Sequence, residues 1–351
     1  FIGASAADDY GNCTSQIGPN ACGSMGYSFV DAHNAGCVVV VTDNLVDYPC
    51  CPVSISQQYV DYVVKVDSIG DPAKIGAGAA RLTKNPRDLM IAQRTVDVMS
   101  ASRRFKDGFS FQTGAGAISI ATTKYLAERM KERGVKASFA LGGIPAAIID
   151  MYDEGLVRVV ACSQSFDAVA AQAISSRPGV IEIDNADYAN AYSKGGYLNR
   201  EDFGILGALE VDTDFNVNVL TGSDGVLRGA PGGHPDAAAG AKCCIIVTPL
   251  MRGRMATICE HVVTVTTPGE CVDVVVTDHG IVVNPNRPDI AAWLDAAGIE
   301  HTTIEKLKEL AYSIVGTPEP LEWEDKVVAV LEARDGSILD VVRQIKPYRF
   351  E

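Results

Sequence analysis

Gly3-Ala4-Ser5-Ala6-Ala7-Asp8-Asp9-Tyr10-Gly11-Asn12 returns later in the chain as Gly207-Ala208-Leu209-Glu210-Val211-Asp212-Thr213-Asp214-Phe215-Asn216. Gly, Ala, Asp and Asn recur at one constant offset of 204 positions, from Gly3 to Gly207 and from Asn12 to Asn216. Two more matches follow in order. Asp31-Ala32 precedes a strand ending at Thr42, as Asp236-Ala237 precedes one ending at Thr248. Val60-Asp61-Tyr62-Val63-Val64 is echoed by Val272-Asp273-Val274-Val275-Val276. Ordered matches at offsets of 204 to 212 predict a duplicated unit. The copies are unequal: the second has a long lead-in from Asn85, whereas only Phe1-Ile2 stands before Gly3, with no initiator Met. The expectation is a C-terminal portion of a longer chain, whose first half lacks roughly its opening hundred residues. A sheet starting there would expose apolar surface until a partner segment covers it.

Between and around the repeats the pattern alternates β and α. Val38-Val39-Val40-Val41, Val63-Val64-Lys65-Val66, Cys244-Ile245-Ile246-Val247 and Val274-Val275-Val276-Thr277 are short β-branched runs, apolar on both faces. Such runs suit a parallel sheet covered by helices. Asn85-Pro86 is a helix cap followed by a first-turn proline, and Leu89, Ala92, Val96 and Met99 then share one face. Residues 118–133 read as a helix stopped by Gly134, and Thr302-x-x-Glu305 as a capping box. Arg334-Asp335-Gly336-Ser337 reads as the turn of a terminal hairpin that alternates from Val327.

Composition narrows the function. The chain has 351 residues, 47% apolar and 21% charged, with a net charge of −14. That charge excludes a general nucleic-acid binder, which needs a basic face. It also means that an anionic substrate must be held by local donors. No apolar run approaches the ~20 residues of a membrane helix, and the N-terminus has no signal-peptide pattern. The ten cysteines include the adjacent pairs Cys50-Cys51 and Cys243-Cys244 but no CxxC, which predicts reduced, mostly buried thiols in a cytoplasmic protein and no zinc site.

Four polar, glycine-rich loops carry the candidate chemistry. Residues 219–242 hold glycines at 222, 225, 229, 232 and 233, with Ser223, Asp224, Arg228 and His234 as polar neighbours. Successive N–H groups in such turns form an anion nest. The loop matches neither a P-loop nor a dinucleotide fingerprint, so a carboxylate suits it better than a nucleotide. The other loops are Phe109-Ser110-Phe111-Gln112-Thr113-Gly114-Ala115-Gly116, which leads into a helix, Leu141-Gly142-Gly143-Ile144, and Cys162-Ser163-Gln164-Ser165-Phe166-Asp167. Strand-end loops of an open parallel sheet gather around one crevice. Arg252 and Arg254 read equally as solvated loop residues or carboxylate holders.

Five strings then carry a resemblance over nearly the whole chain. Residues 216–225 with Gly232-Gly233-His234, Lys74-Ile75-Gly76-Ala77-Gly78-Ala79, Gly108 to Gly114, Phe139 to Ile144, and Val276-Thr277-Asp278-His279-Gly280-Ile281 resemble the citrate lyase alpha subunit family, a family of citrate CoA-transferases. The resemblance implies an α/β fold of two related CoA-transferase half-domains with open, mainly parallel sheets and a small C-terminal appendage. Residues 1–84 would be the C-terminal part of the first half-domain, 85–285 the second, and 286–351 the appended helices and β-hairpin. The implied partners are a citryl lyase (beta) subunit, an acyl carrier (gamma) subunit and a missing N-terminal segment of the same protein. The acyl thioester would sit on a CoA-like arm, phosphoribosyl-dephospho-CoA, on the carrier, or on acetyl-CoA; no cofactor is expected in this chain.

The implied reaction is acetyl-carrier plus citrate giving citryl-carrier plus acetate. Related transferases use a glutamate nucleophile in a loop that corresponds here to Leu141-Gly142-Gly143-Ile144, without a carboxylate. Citrate's own carboxylate is then the expected nucleophile, through a mixed anhydride. Gln112, Gly142, Gly143 and Ser223 are the expected catalytic residues. Asn218, Gly222, Asp224, Arg228, Gly232, Gly233 and His234 are expected to bind substrate, and Ser110, Thr113, Gly114, Gln164 and Ser165 the acyl thioester. Transfer to citramalate or another hydroxy acid, and a non-catalytic scaffold half of a split enzyme, stay open as alternatives.

Overall fold

The computed structural model describes residues 1–76, 82–114, 116–190 and 193–346; Ala77, Gly78, Ala79 and Ala115, quoted above, lie outside them. The chain is an α/β protein that divides into two compact units, Phe1–Leu82 with Lys106–Tyr197, and Thr83–Phe105 with Leu198–Glu351. This division differs from the one at 84/85 and 285/286 expected from ancestry. The Pro86–Ala101 helix belongs to the second unit, residues 106–197 to the first, and the appendage is part of the second unit.

In the first unit, strands Ile2–Ala4, Val39–Thr42 and Tyr62–Lys65 pair in parallel, with Val40 between Ile2 and Val63. In the second, Phe203–Gly207, Cys244–Val247 and Val274–Val276 pair in the same order, with Ile246 between Leu206 and Val275. Every one of these partners lies at the offset of its repeat. The small ladders correspond as well: Ala6↔Thr14 and Ala7↔Cys13 in one copy, Glu210↔Asn218 and Val211↔Val217 in the other.

The repeat is held by one hydrogen-bond motif written twice. The Asp8 carboxylate accepts from the backbone N–H groups of Tyr10, Gly11, Asn12 and Cys50 and from Asn12 Nδ2. Asp212 accepts from the N–H groups of Asp214, Asn216 and Val262 and from Asn216 Nδ2. Asn12 Oδ1 then takes the Gln57 N–H, as Asn216 Oδ1 takes that of Gly269. The turn needs a left-handed residue: Gly11 has φ +105° and its counterpart Phe215 has φ +66°.

The copies differ in what covers them. Cys244–Val247 and Val274–Val276 are buried throughout, and the Pro86–Ala101 helix packs on both strands. Each fully buried Val or Ile there contributes about 1.5–3 kcal/mol. In the first copy Val39–Thr42 alternates half-buried and buried, and Tyr62 and Val64 on the next strand are exposed.

Local predictions land closely. Asn85 caps its helix by accepting from the Arg87 N–H, and Ala117–Arg133 ends at Gly134 with φ +64°. The terminal hairpin pairs Trp323–Glu332 with Ile338–Ile345. One cap moves by a residue. Thr302 donates its N–H to the Ile281 carbonyl, so Thr303 caps the Ile304–Val315 helix instead. The cysteines are free thiols, six of them buried, and burial pushes Cys13 and Cys162 up to about 12. No described helix is long and apolar enough to cross a membrane.

Candidate functional site

In the first unit, strands Phe109–Thr113, Ala137–Ile144, Val157–Ser165 and Val180–Glu182 run parallel in chain order. Their apolar residues fix the sheet, and their C-terminal ends carry three of the glycine-rich or polar stretches. Gln112 is 7% exposed, and its Nε2 donates to the Tyr188 hydroxyl at 2.7 Å. Its Oε1 is buried with no partner among the described residues. Gly142, at φ +95°, stands against both groups: a Cβ there would lie 3.2 Å from Gln112 Cδ and 3.3 Å from Tyr188 Cε2. The register with Val157–Ser165 slips between Gly142 and Gly143. Such a bulge re-aims the backbone and is common beside active sites. A Cβ on Gly143 would fall 2.0 Å from Phe166 Cζ, so both positions demand glycine.

The other first-unit residues divide. Gln164 is exposed, and Gly114 leads into a helix whose N-cap, Gly116, supplies no side-chain hydrogen bond. Unpaired N–H groups at a helix start favour negative charge. Thr113 is consumed by packing, its hydroxyl bonded to that of Thr123 at 3.0 Å. Ser110 is buried, and Ser165 contacts Cys162 Sγ and packs on Gly23. The sequence reading missed Tyr188 and also Glu182, whose carboxylate accepts from Gln16 Nε2, Ser54 Oγ and the Met25 N–H. No local motif marks either residue.

In the second unit the 219–242 loop is tied largely to its own fold. Asn218 Nδ2 donates to Glu210 and to the Thr221 carbonyl, while its Oδ1 accepts from the Leu220 and Thr221 N–H groups. Ser223 donates to the other Glu210 oxygen at 2.6 Å. Asn218 and Ser223 therefore hold a turn, because their hydrogen-bonding capacity is spent inside it. His234 is spent as well: Nε2 lies 2.8 Å from the Gly207 carbonyl and Nδ1 2.7 Å from the Thr267 hydroxyl. A carbonyl only accepts, so Nε2 carries the proton and Nδ1 accepts from Thr267. Burial lowers its pKa to about 4, against the small opposing effect of the Gly207 bond. The neutral ring is a strut and not a cation for carboxylates.

Gly222 lets Asp224 and Arg228 close over it, and those two form an exposed ion pair. Gly232 takes φ +54°, and Gly233 caps the His234–Gly240 helix. Arg252 donates to the Ala208 carbonyl at 2.6 Å, and burial, then Arg87, lower its pKa; Arg254 is exposed. Arg87 and Arg94 likewise donate to the Met251 and Thr277 carbonyls.

The profile of the family described as "Citrate lyase, alpha subunit (CitF)" matches residues 1–345. The chain belongs to the citrate lyase alpha subunit family. It is 52% identical to the citrate lyase alpha chain of Escherichia coli K12 over 346 residues, 99% of this chain and 68% of that protein. The Haemophilus influenzae alpha chain is 51% identical, over 99% and 69% of the two lengths. Among solved structures, a candidate citrate lyase alpha subunit from Streptococcus mutans in complex with citrate matches with a TM-score of 0.95. Its identity is 50%, over 99% of this chain and 68% of that one. A malonate decarboxylase alpha subunit from Acinetobacter baumannii has a TM-score of 0.61 at 16% identity, covering 91% and 71%, and shares the fold.

Proposed function

We propose that this chain exchanges acetyl for citryl on an acyl-carrier thioester, as the CoA-transferase subunit of a citrate lyase complex. The observation that carries the mechanism is the Gly142–Gly143 bulge. The side chains nearest to it are Gln112, Tyr188 and Phe166, none of them a carboxylate. Family membership and the citrate held by the Streptococcus mutans relative support the substrate. A citrate carboxylate oxygen attacks the acetyl carbonyl and the thiolate leaves, giving a citryl–acetyl anhydride. The thiolate then attacks the citryl carbonyl, and acetate leaves. The chain contributes positioning and oxyanion stabilisation, with Gln112 beside the reacting carbonyl. Gln164 and Gly114 are the first-unit residues that would meet the thioester. The thioester arm itself belongs to an acyl carrier partner or to acetyl-CoA. A citryl lyase subunit completes the cytoplasmic complex.

The chain is combined with the acyl carrier, without the citryl lyase subunit that would consume the product, and given acetyl-carrier and labelled citrate. Citryl-carrier should accumulate, with sequential kinetics because both substrates occupy the site together. Acetyl thioester alone, followed by borohydride or hydroxylamine, should leave this chain active once the reagent is removed and fresh acetyl-carrier is supplied. Inactivation that fresh acetyl-carrier does not reverse, or parallel double-reciprocal lines, would establish an acyl group on this chain and overturn the mechanism. Faster exchange with another hydroxy acid would overturn citrate as the substrate, and no exchange would leave the scaffold reading.

A further inference from the structure

Resting on that reading, we propose that Tyr188 is a positioning residue for acyl transfer, holding the Gln112 amide beside Gly142 so that the second end of the amide meets the reacting carbonyl. Gln112 is more than nine-tenths buried; one end touches the Tyr188 hydroxyl at 2.7 Å and the other has no protein partner. A buried amide end is rarely left unpaired unless a ligand or solvent completes it. The two ends have the same shape, and their assignment follows from the network. In the proposed arrangement the amide is turned end for end from Nε2 facing Tyr188, so that the phenol O–H donates to Oε1 and the NH2 group presents a donor at the orphaned position. A donor fixed where negative charge develops during attack acts mainly on the transition state.

Two features keep the phenol in place. Tyr188 is 6% exposed on the short Asn185–Ala189 helix, which Asp184 caps by accepting from the Asp187 N–H. Gly142 leaves room for both partners, since any Cβ there would press on Gln112 and Tyr188 together.

The test uses the assembled complex. Tyr188→Phe should lower kcat about 10-fold or more, with both KM values within about twofold. Gln112→Ala should fall at least as far, and the double variant no further, because the tyrosine acts through the amide. Tyr152→Phe serves as the structural control: it loses a bond from the Gly179 N–H at 3.1 Å and should lower Tm without lowering kcat. The Gln112 side-chain amide signal, assigned by its loss in Gln112→Ala, should shift in Tyr188→Phe. Unchanged kcat, multiplying losses in the double variant, or an unmoved amide signal would overturn the proposal. A wild-type complex without exchange defeats the proposed function instead, and the amide signal then still decides the contact.

Discussion

His234 shows how one residue changes meaning between chain and fold. In a glycine-rich loop it reads as a donor for carboxylates, yet both nitrogens are used within the second unit. Its folded pKa of about 4 lies below the usual value of 6.5. Above pH 6.5 the ring is neutral in both states and its contribution to stability is complete. Between about 6.5 and 4 the unfolded chain takes up a proton that the folded chain refuses, so stability falls as pH falls. The urea midpoint of the wild type should therefore drop from pH 7.5 to pH 5 by more than that of His234→Ala, which should itself be lower at pH 7.5. Equal slopes with pH, or a raised citrate KM at undiminished stability, would return His234 to the binding site.

At the scale of elements, the glycine loop and the terminal hairpin explain each other. A two-stranded hairpin is marginal alone. This one leans on Gly225, at φ +75°, where a Cβ would meet Trp323 Cη2 at 2.9 Å and Ile345 Cδ1 at 3.0 Å. Asp340 also accepts from the Val265 N–H at 2.7 Å, and Arg334 pairs with Asp236. The glycine needed at 225 is thus explained by docking, without an anion. Gly225→Val combines a clash with a disfavoured φ and should undock the hairpin. In a Trp293→Phe background, Trp323 emission should move to the red and cleavage within 333–337 should quicken about 10-fold, a ratio set by the lost docking energy of roughly 1.4 kcal/mol. Unchanged emission and cleavage would show that the loop does not hold the hairpin.

For the molecule as a whole, the two Asp-centred motifs are the strongest mark of duplication. Each removes a buried carboxylate's hydrogen bonds when truncated, and each belongs to a different unit. Burial raises the Asp8 pKa, but the bonds from Cys50, Asn12 and Tyr10 outweigh it and the net shift is downward. Asp8→Ala and Asp212→Ala should each cost about 1–3 kcal/mol in the region they hold. Amide exchange should quicken at 8–14 and 50–57 in the first variant, and at 212–218 and 262–269 in the second. Faster exchange at the other copy's positions, or at neither, would contradict independent motifs.

Sequence alone determined the repeat, the Asn85 and Gly134 helix ends and the terminal hairpin. These depend on bonds between residues a few positions apart, such as Asp8 with Asn12, or on which side chains face a covered sheet. The chain's capping signals were local enough to read, and the Thr302 slip came from a strand pairing that no local rule contains. Tertiary structure decided the rest. It joined Gln112 to Tyr188 across 76 positions, His234 to Thr267 across 33 and Arg334 to Asp236 across 98. It also spent Asn218, Ser223 and His234 on the fold while leaving one end of the Gln112 amide unpaired. The physical reason is saturation: a polar side chain's type announces what it can bond. Only the folded surroundings determine whether that capacity is used internally or remains for a ligand.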